Sequence, residues 1–290
     1  MFFAWKVHWR TLGTICLSFL IVFSAAFAVF AVSVEPHQQE NAIELPIIMY
    51  HSLLKDSTYH GKYVLSPLQL EADLQYLQKE GYTTVHMADV IDYVTNGTPL
   101  PERPIVLSFD DGFYNNYVYA YPLAEQYQAK MVIAPVGYYT DQYSESGEKN
   151  ANYSYLTWDE IREMSKSGLI EFQNHTYNLH SSVDRKGAGR KPGETLAEYE
   201  SVLMADIGSM QEKLEVCTGI RPNTMVFPFG EVSDEGVAIA RKLGFQAVFT
   251  CREKINLITR DPECLYLLGR FLRPSGVDSQ TYFTKYVGLS

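Results

Sequence analysis

From Leu45 onward the chain alternates β-type and α-type hydrophobic periods almost without interruption. That alternation is the mark of a parallel α/β domain, because parallel strands need a crossover helix between them. Strands are expected near 46–50, 82–85, 105–109, 131–135, 169–174, 224–227, 246–250 and 266–272. Helix signals fall between them. Ser66-Pro67-x-Gln69 opens one helix, which stops at Gly81; Thr157-x-x-Glu160 opens another, which stops at Gly168. Further helices are expected near 88–95, 114–128 and 194–216, and from Ser233 to Leu243. About eight strands in roughly 245 residues is the size of a distorted (β/α) barrel. The domain reading is therefore 45–290, with no internal repeat and no second domain.

The amino terminus sets the compartment. Residues 11–32 form 22 consecutive positions without a charge, preceded by Lys6 and Arg10 and followed by Glu35 and Glu40. A helix of that length covers the ~30 Å hydrocarbon layer, and the flanking charges leave the amino terminus in the cytoplasm. Residues 1–34 thus read as a cytoplasmic stub and a single-pass transmembrane anchor, and 35–44 as a polar linker. A secretory signal cleaved near Ala26-Phe27-Ala28 is the alternative. Either way the domain works outside the cytoplasm. The net charge is −10, and without residues 1–34 it is 22 − 34 = −12, which argues against a nucleic-acid partner. Beyond Cys16 the cysteines are Cys217, Cys251 and Cys264, with no C-x-x-C pair, so a thiolate zinc site is not expected. Cys251 and Cys264 are spaced for either a short disulfide loop or two free thiols.

In parallel α/β folds functional groups gather at the carboxyl ends of the strands. Here those ends carry His51, Asp110-Asp111-Gly112, His175 with His180, and Pro228-Phe229-Gly230. Adjacent carboxylates at the end of a buried strand repel unless a cation or donor compensates, and neighbours on extended backbone face opposite sides. One can therefore bind a metal while the other faces a reaction; a plain Asp-Asp-Gly turn is the bland reading. His175 and His180 lie ~140° apart around a helix, so their convergence requires an irregular loop. Two imidazoles and a carboxylate make a catalytic divalent-metal set, whereas two separately packed histidines would be structural. His51, alone, reads more readily as a packed, hydrogen-bonded histidine than as a catalytic one.

Together these residues resemble the NodB-homology polysaccharide deacetylases, carbohydrate esterase family four. Ser108-Phe109-Asp110-Asp111-Gly112 is similar to the first family motif, TFDDG, and the segment from Asn174 to His180 to the histidine motif. The histidine spacing of five, the missing carboxy-terminal Leu-x-His, and Met49-Tyr50-His51-Ser52 resemble a permuted branch that includes the poly-N-acetylglucosamine deacetylases. The resemblance implies that Asp111, His175 and His180 hold a divalent metal, zinc first, with cobalt, manganese or nickel as alternatives. It implies Asp110 as general base, His51 as general acid, and the Phe229 N–H as oxyanion donor. The implied substrate is an N-acetylated surface polysaccharide, of the peptidoglycan or poly-N-acetylglucosamine type. An O-acetyl esterase and a non-catalytic glycan binder are the alternatives. Phe227-Pro228-Phe229-Gly230 stands where the family carries an Arg-containing RxxPY-type segment. The arginine that orients the base is then unplaced, with Arg270 and Arg273 as candidates. The basic loop 181–194 is a candidate contact for an anionic polymer or a solvated loop. Tyr138, Tyr139, Tyr153 and Tyr155 are candidates for stacking on sugars or for packing.

Overall fold

The computed structural model describes residues 42–289. The strands are β1 (Ile43–Leu45), β2 (Ile47–Tyr50), β3 (Ser52–Leu53), β4 (Val64–Leu65), β5 (Thr83–Thr84) and β6 (Pro104–Asp111). They continue with β7 (Met131–Pro135), β8 (Ile170–Phe172), β9 (Thr224–Val226), β10 (Ala247–Phe249), β11 (Asn256–Ile258) and β12 (Phe271–Leu272). β2 and β7 are buried along their whole length, and β6 everywhere but its last residue. Such runs of β-branched and aliphatic residues suit strands covered on both faces.

The sheet order is β12-β2-β6-β7-β8, with β5 also on β6, and all of these pairings are parallel. β9 and β10 form a separate parallel pair. Single parallel bridges, Asn174↔Met225 and Phe249↔Leu268, join that pair to β8 on one side and to the segment before β12 on the other. The ring therefore closes through seven staves rather than eight, and two of its seams are one bridge wide. This is the distorted barrel expected from the alternation. Because every stave runs the same way, the carboxyl ends of β2, β6, β8 and β9 open on one rim.

The helices are α1 (Pro67–Lys79), α2 (Met87–Asn96), α3 (Tyr121–Tyr127), α4 (Gly137–Ser146), α5 (Trp158–Lys166), α6 (Leu196–Thr218) and α7 (Asp234–Lys242). Ser66, Thr157, Thr195 and Ser233 cap their helices as side-chain acceptors. Several expectations are corrected. The helix near 114–128 is broken into a π-helical turn, Asn116–Ala120, and α3. α4 was not expected. The strand near 82–85 shrinks to β5, and a short antiparallel ribbon joins β1 to β11. Regular pairing thus begins at Ile43, inside the stretch read as linker.

Arg273 belongs to the packing of the barrel rather than to its rim. Fully buried, it donates two bonds to Asp73 of α1, at 2.9 and 2.8 Å, and Tyr50 donates to the same carboxylate at 3.0 Å. Cys217, Cys251 and Cys264 are all free thiols, so no disulfide joins Cys251 to Cys264. The anchor segment 11–32 and the stub before it lie outside the described residues. Among the described residues no helix is long and apolar enough to cross a membrane.

Candidate active site

β6 ends in a sharp turn that separates its two carboxylates. Asp111 and Gly112 both adopt left-handed backbone, φ 69 and 73°, and Gly112 N–H closes back on Asp110 O at 2.9 Å. For a non-glycine residue such backbone costs ~1–3 kcal/mol and persists where the surroundings over-determine it. Gly112 is required twice over, since a Cβ there would lie 2.5 Å from Pro135 Cβ. Thr176 and Phe229 are also left-handed, φ 71 and 58°. Three strained non-glycine residues therefore stand at or beyond the carboxyl ends of β6, β8 and β9.

Asp110 is 3% exposed and accepts two bonds from Arg270, at 2.6 and 2.8 Å. Arg270 is itself fully buried and also donates to Ser108 Oγ at 3.0 Å and Thr250 O at 3.1 Å. This planar, two-pronged geometry fixes the carboxylate in one orientation. Burial alone would raise the Asp110 pKa, but the charge of Arg270, helped by His175, holds it below the ordinary carboxylate range. Of the two arginines singled out in the sequence, Arg270 is the one that reaches the base candidate.

Asp111, His175 and His180 converge, with one ligand atom from each lying within 4.8 Å of the others. Asp111 Oδ1 is 3.4 Å from His175 Nε2 and 3.1 Å from His180 Nε2. Yet this oxygen is buried and has no partner in hydrogen-bond geometry. His175 Nδ1 is tied to Val226 O at 2.8 Å, which makes Nδ1 the protonated nitrogen and leaves Nε2 with its lone pair toward Asp111. An orphaned buried carboxylate oxygen facing two imidazole nitrogens fits a divalent cation with oxygen and nitrogen ligands.

The loop between the histidines is irregular, as their convergence demands. Tyr177 and Asn178 donate backbone N–H groups to Asp206 of α6, each at 2.8 Å, and Thr176 N–H donates to Asn174 Oδ1 at 2.8 Å. The Phe229 ring lies 4.7 Å from the His180 ring. The His51 ring meets Tyr63 edge-on at 4.9 Å, and its buried Nδ1 has no partner. Burial lowers the His51 pKa, against the upward pull of Asp110 and Asp111.

All six residues singled out at strand ends, His51, Asp110, Asp111, His175, His180 and Phe229, line one cleft of about 610 Å³. Lys62, Tyr63, Cys251 and Glu253 complete it, and no strand-end argument pointed to them. A cleft of similar size, about 640 Å³, lies at the amino-terminal ends of the strands beside Thr84, Lys130 and Leu169 and contains none of the six. Two of the four cations of the basic loop are neutralised by carboxylates. Arg185 pairs with Glu194, Lys186 with Glu231, and Arg190 donates to Glu194 O at 2.8 Å. Tyr139 and Tyr155 stack on one another at 4.4 Å as packing, whereas Tyr138 and Tyr153 are exposed.

Comparison with known proteins agrees with this arrangement. The sequence pattern of the family described as polysaccharide deacetylase matches residues 97–248, just over half of the chain. A poly-β-1,6-N-acetyl-D-glucosamine N-deacetylase of Escherichia coli (strain K12) is 30% identical over 200 residues, which cover 62% of this chain and 30% of that protein. The protein of the same name from Staphylococcus aureus (strain MSSA476) is 25% identical over 194 residues, covering 66% of this chain and 62% of that one. The chain thus spans less than two thirds of these relatives. Among solved structures, a de-N-acetylase from Aggregatibacter actinomycetemcomitans superposes with a TM-score of 0.69 at 28% identity, covering 84% of this chain and 98% of its own. IcaB from Ammonifex degensii superposes at 0.68 and 25% identity, covering 86% and 99%. By its sequence pattern, its fold and these likenesses, the chain belongs to the polysaccharide deacetylase family.

Proposed function

We propose that the chain is a metal-dependent N-deacetylase of a surface poly-hexosamine, of the poly-β-1,6-N-acetylglucosamine type, working outside the membrane that its amino-terminal segment anchors it to. The observation that carries the reading is one cleft holding an orphaned Asp111–His175–His180 triad beside a carboxylate clamped by Arg270. The names of the similar proteins favour a poly-N-acetylglucosamine over peptidoglycan.

Asp111, His175 and His180 would hold the cation, zinc first and cobalt, manganese or nickel as alternatives. Such an ion supplies a water pKa lowered toward ~7 and a polarised acetyl oxygen. Asp110 keeps one lone pair on each oxygen after its two bonds to Arg270, so it can take the proton of the attacking water. The Phe229 N–H donates to the oxyanion; losing one such donor typically costs ~3–4 kcal/mol. The C–N bond then breaks as His51, protonated from solvent before the step, gives its proton to the leaving amine. Asp110 returns to solvent the proton it took from water, which closes the cycle.

The test is acetate release by the full chain from β-1,6-linked N-acetylglucosamine oligomers, from isolated peptidoglycan and from O-acetylated sugars. Release from the first substrate, lost in Asp110→Asn and cut to a small measurable residue in His51→Ala, is expected. Release only from O-esters, or none from any, overturns the reading.

A further inference from the structure

His51 has no means of orienting its own ring. Among the described residues its imidazole makes no protein hydrogen bond; its one ring contact is the edge of Tyr63 at 4.9 Å. Its direction must therefore come from its backbone, and the backbone stands where regular pairing lapses. The β2–β6 ladder runs from Ile47↔Val106 to Tyr50↔Phe109 and stops one residue short of His51. On one edge, Ser52 and Leu54 donate backbone N–H groups to Tyr63 and Leu65, at 3.1 and 2.8 Å. His51 O and Leu53 N–H face the other edge by strand alternation and, among the described residues, take no backbone partner.

Two fully buried asparagines fill that edge. Asn116 Nδ2 donates to His51 O at 2.9 Å. Asn115 Oδ1 accepts from Leu53 N–H at 2.9 Å, and its Nδ2 donates to Ser52 Oγ and Ala151 O, both at 2.9 Å. Each side-chain amide does what a strand backbone would do, continuing the pairing past the end of the ladder. Both asparagines follow Asp110-Asp111-Gly112 closely, and Asn116 opens the π-helical turn Asn116–Ala120, a local irregularity frequent at functional sites. The segment that bears Asp110 and Asp111 therefore also sets the position of His51.

Asn116 is a poor choice for stability alone. Its Oδ1 is buried without a partner, a cost set against the one bond that its Nδ2 gives His51 O. We propose that Asn116, with Asn115, is a positioning residue that registers the His51 backbone against the Asp110–Asp111 turn. The proposal rests on the acid role given to His51 above.

The experiment compares wild type, Asn116→Leu, His51→Ala and the double variant on N-acetylglucosamine oligomers, with zinc binding and thermal melting measured in parallel. 4-Nitrophenyl acetate serves as a second substrate, because a phenolate leaves without a proton from an acid. A misplacement of about 1 Å can cost about 100-fold in rate, so Asn116→Leu should lose ~10- to 100-fold in kcat on the amide. KM, zinc affinity and ester hydrolysis should stay near wild type, while the melting temperature falls by the few degrees that an unpaired His51 O costs. In the His51→Ala background Asn116→Leu should cost nothing more, since the two act as one unit. Equal losses on amide and ester, multiplicative losses in the double variant, or an unchanged amide rate would overturn the proposal. If Asn116→Leu does not fold, Asn116→Ser, too short to reach His51 O, faces the same comparisons. Wild-type amide turnover in His51→Ala is a separate result, which removes the acid role itself.

Discussion

Replacing Arg270 by methionine removes the most heavily engaged side chain at the site. The variant keeps the approximate volume but strands three acceptors: the Asp110 carboxylate, Ser108 Oγ and Thr250 O. Both members of the ion pair are almost wholly buried, and breaking such a pair by removing one partner typically costs ~3–5 kcal/mol. For a domain of this size that is a fall in melting temperature of about 6–20 °C. The pH dependence is the sharper signature. In the native protein Asp110 titrates below its unfolded value of ~3.9, so the pair contributes fully above that pH and is lost only as pH falls through the lower native value. Without Arg270 burial dominates, the native pKa moves above ~3.9, and the sign reverses. The variant then gains stability as pH falls and Asp110 is neutralised. Melting the metal-free proteins between about pH 8 and about pH 5 should show the gap to wild type narrowing steadily. A constant gap, or one under about 2 °C, would refute the account of this pair. In the zinc-loaded protein the same variant should release acetate with its acidic limb moved to higher pH.

Other expectations follow from particular contacts. Gly112→Ala would force a Cβ to 2.5 Å from Pro135 Cβ at φ 73°, so it should melt lower by more than the ~1–3 kcal/mol of strain alone. Asp73→Asn leaves the buried Arg273 charge unneutralised and should cost ~3–5 kcal/mol in unfolding experiments, with zinc affinity unchanged because this pair faces α1. Thiol titration of the unfolded domain should count Cys217, Cys251 and Cys264 as free without reduction, and in the native domain the exposed Cys251 should react first.

How much of this was readable beforehand depends on the range of the interaction. Strand ends are local features, marked by apolar runs and the polar residues that stop them, so His51, Asp110, Asp111, His175, His180 and Phe229 could be found from the sequence. The choice between Arg270 and Arg273 was not local. They are three apart on an extended segment and so face opposite sides, but which side meets Asp110 depends on partners 160 residues away for Arg270 and 200 for Arg273. α4 escaped notice because its first turn has no side-chain cap and its stripe of tyrosines looks like a loop. It is held by tertiary packing: Tyr139 and Tyr143 meet Tyr155, and a Cβ at Gly137 would meet Met210 Sδ at 2.7 Å. The sequence leaves the basic loop open between a polymer contact and a solvated loop because Glu231, which pairs with Lys186, is 45 residues further on. The asparagines beside His51 carry no sequence signal of their own; only the lapse of the β2–β6 ladder gives them something to do.

Whether Asp111, His175 and His180 hold a catalytic divalent cation is decided by stripping the protein with a chelator and titrating zinc back, following bound metal and acetate release from N-acetylglucosamine oligomers together. One equivalent of zinc per chain, with release restored in proportion and neither seen in His175→Ala, is the expected result. Full release from metal-free protein, or unchanged zinc binding in His175→Ala, would contradict it.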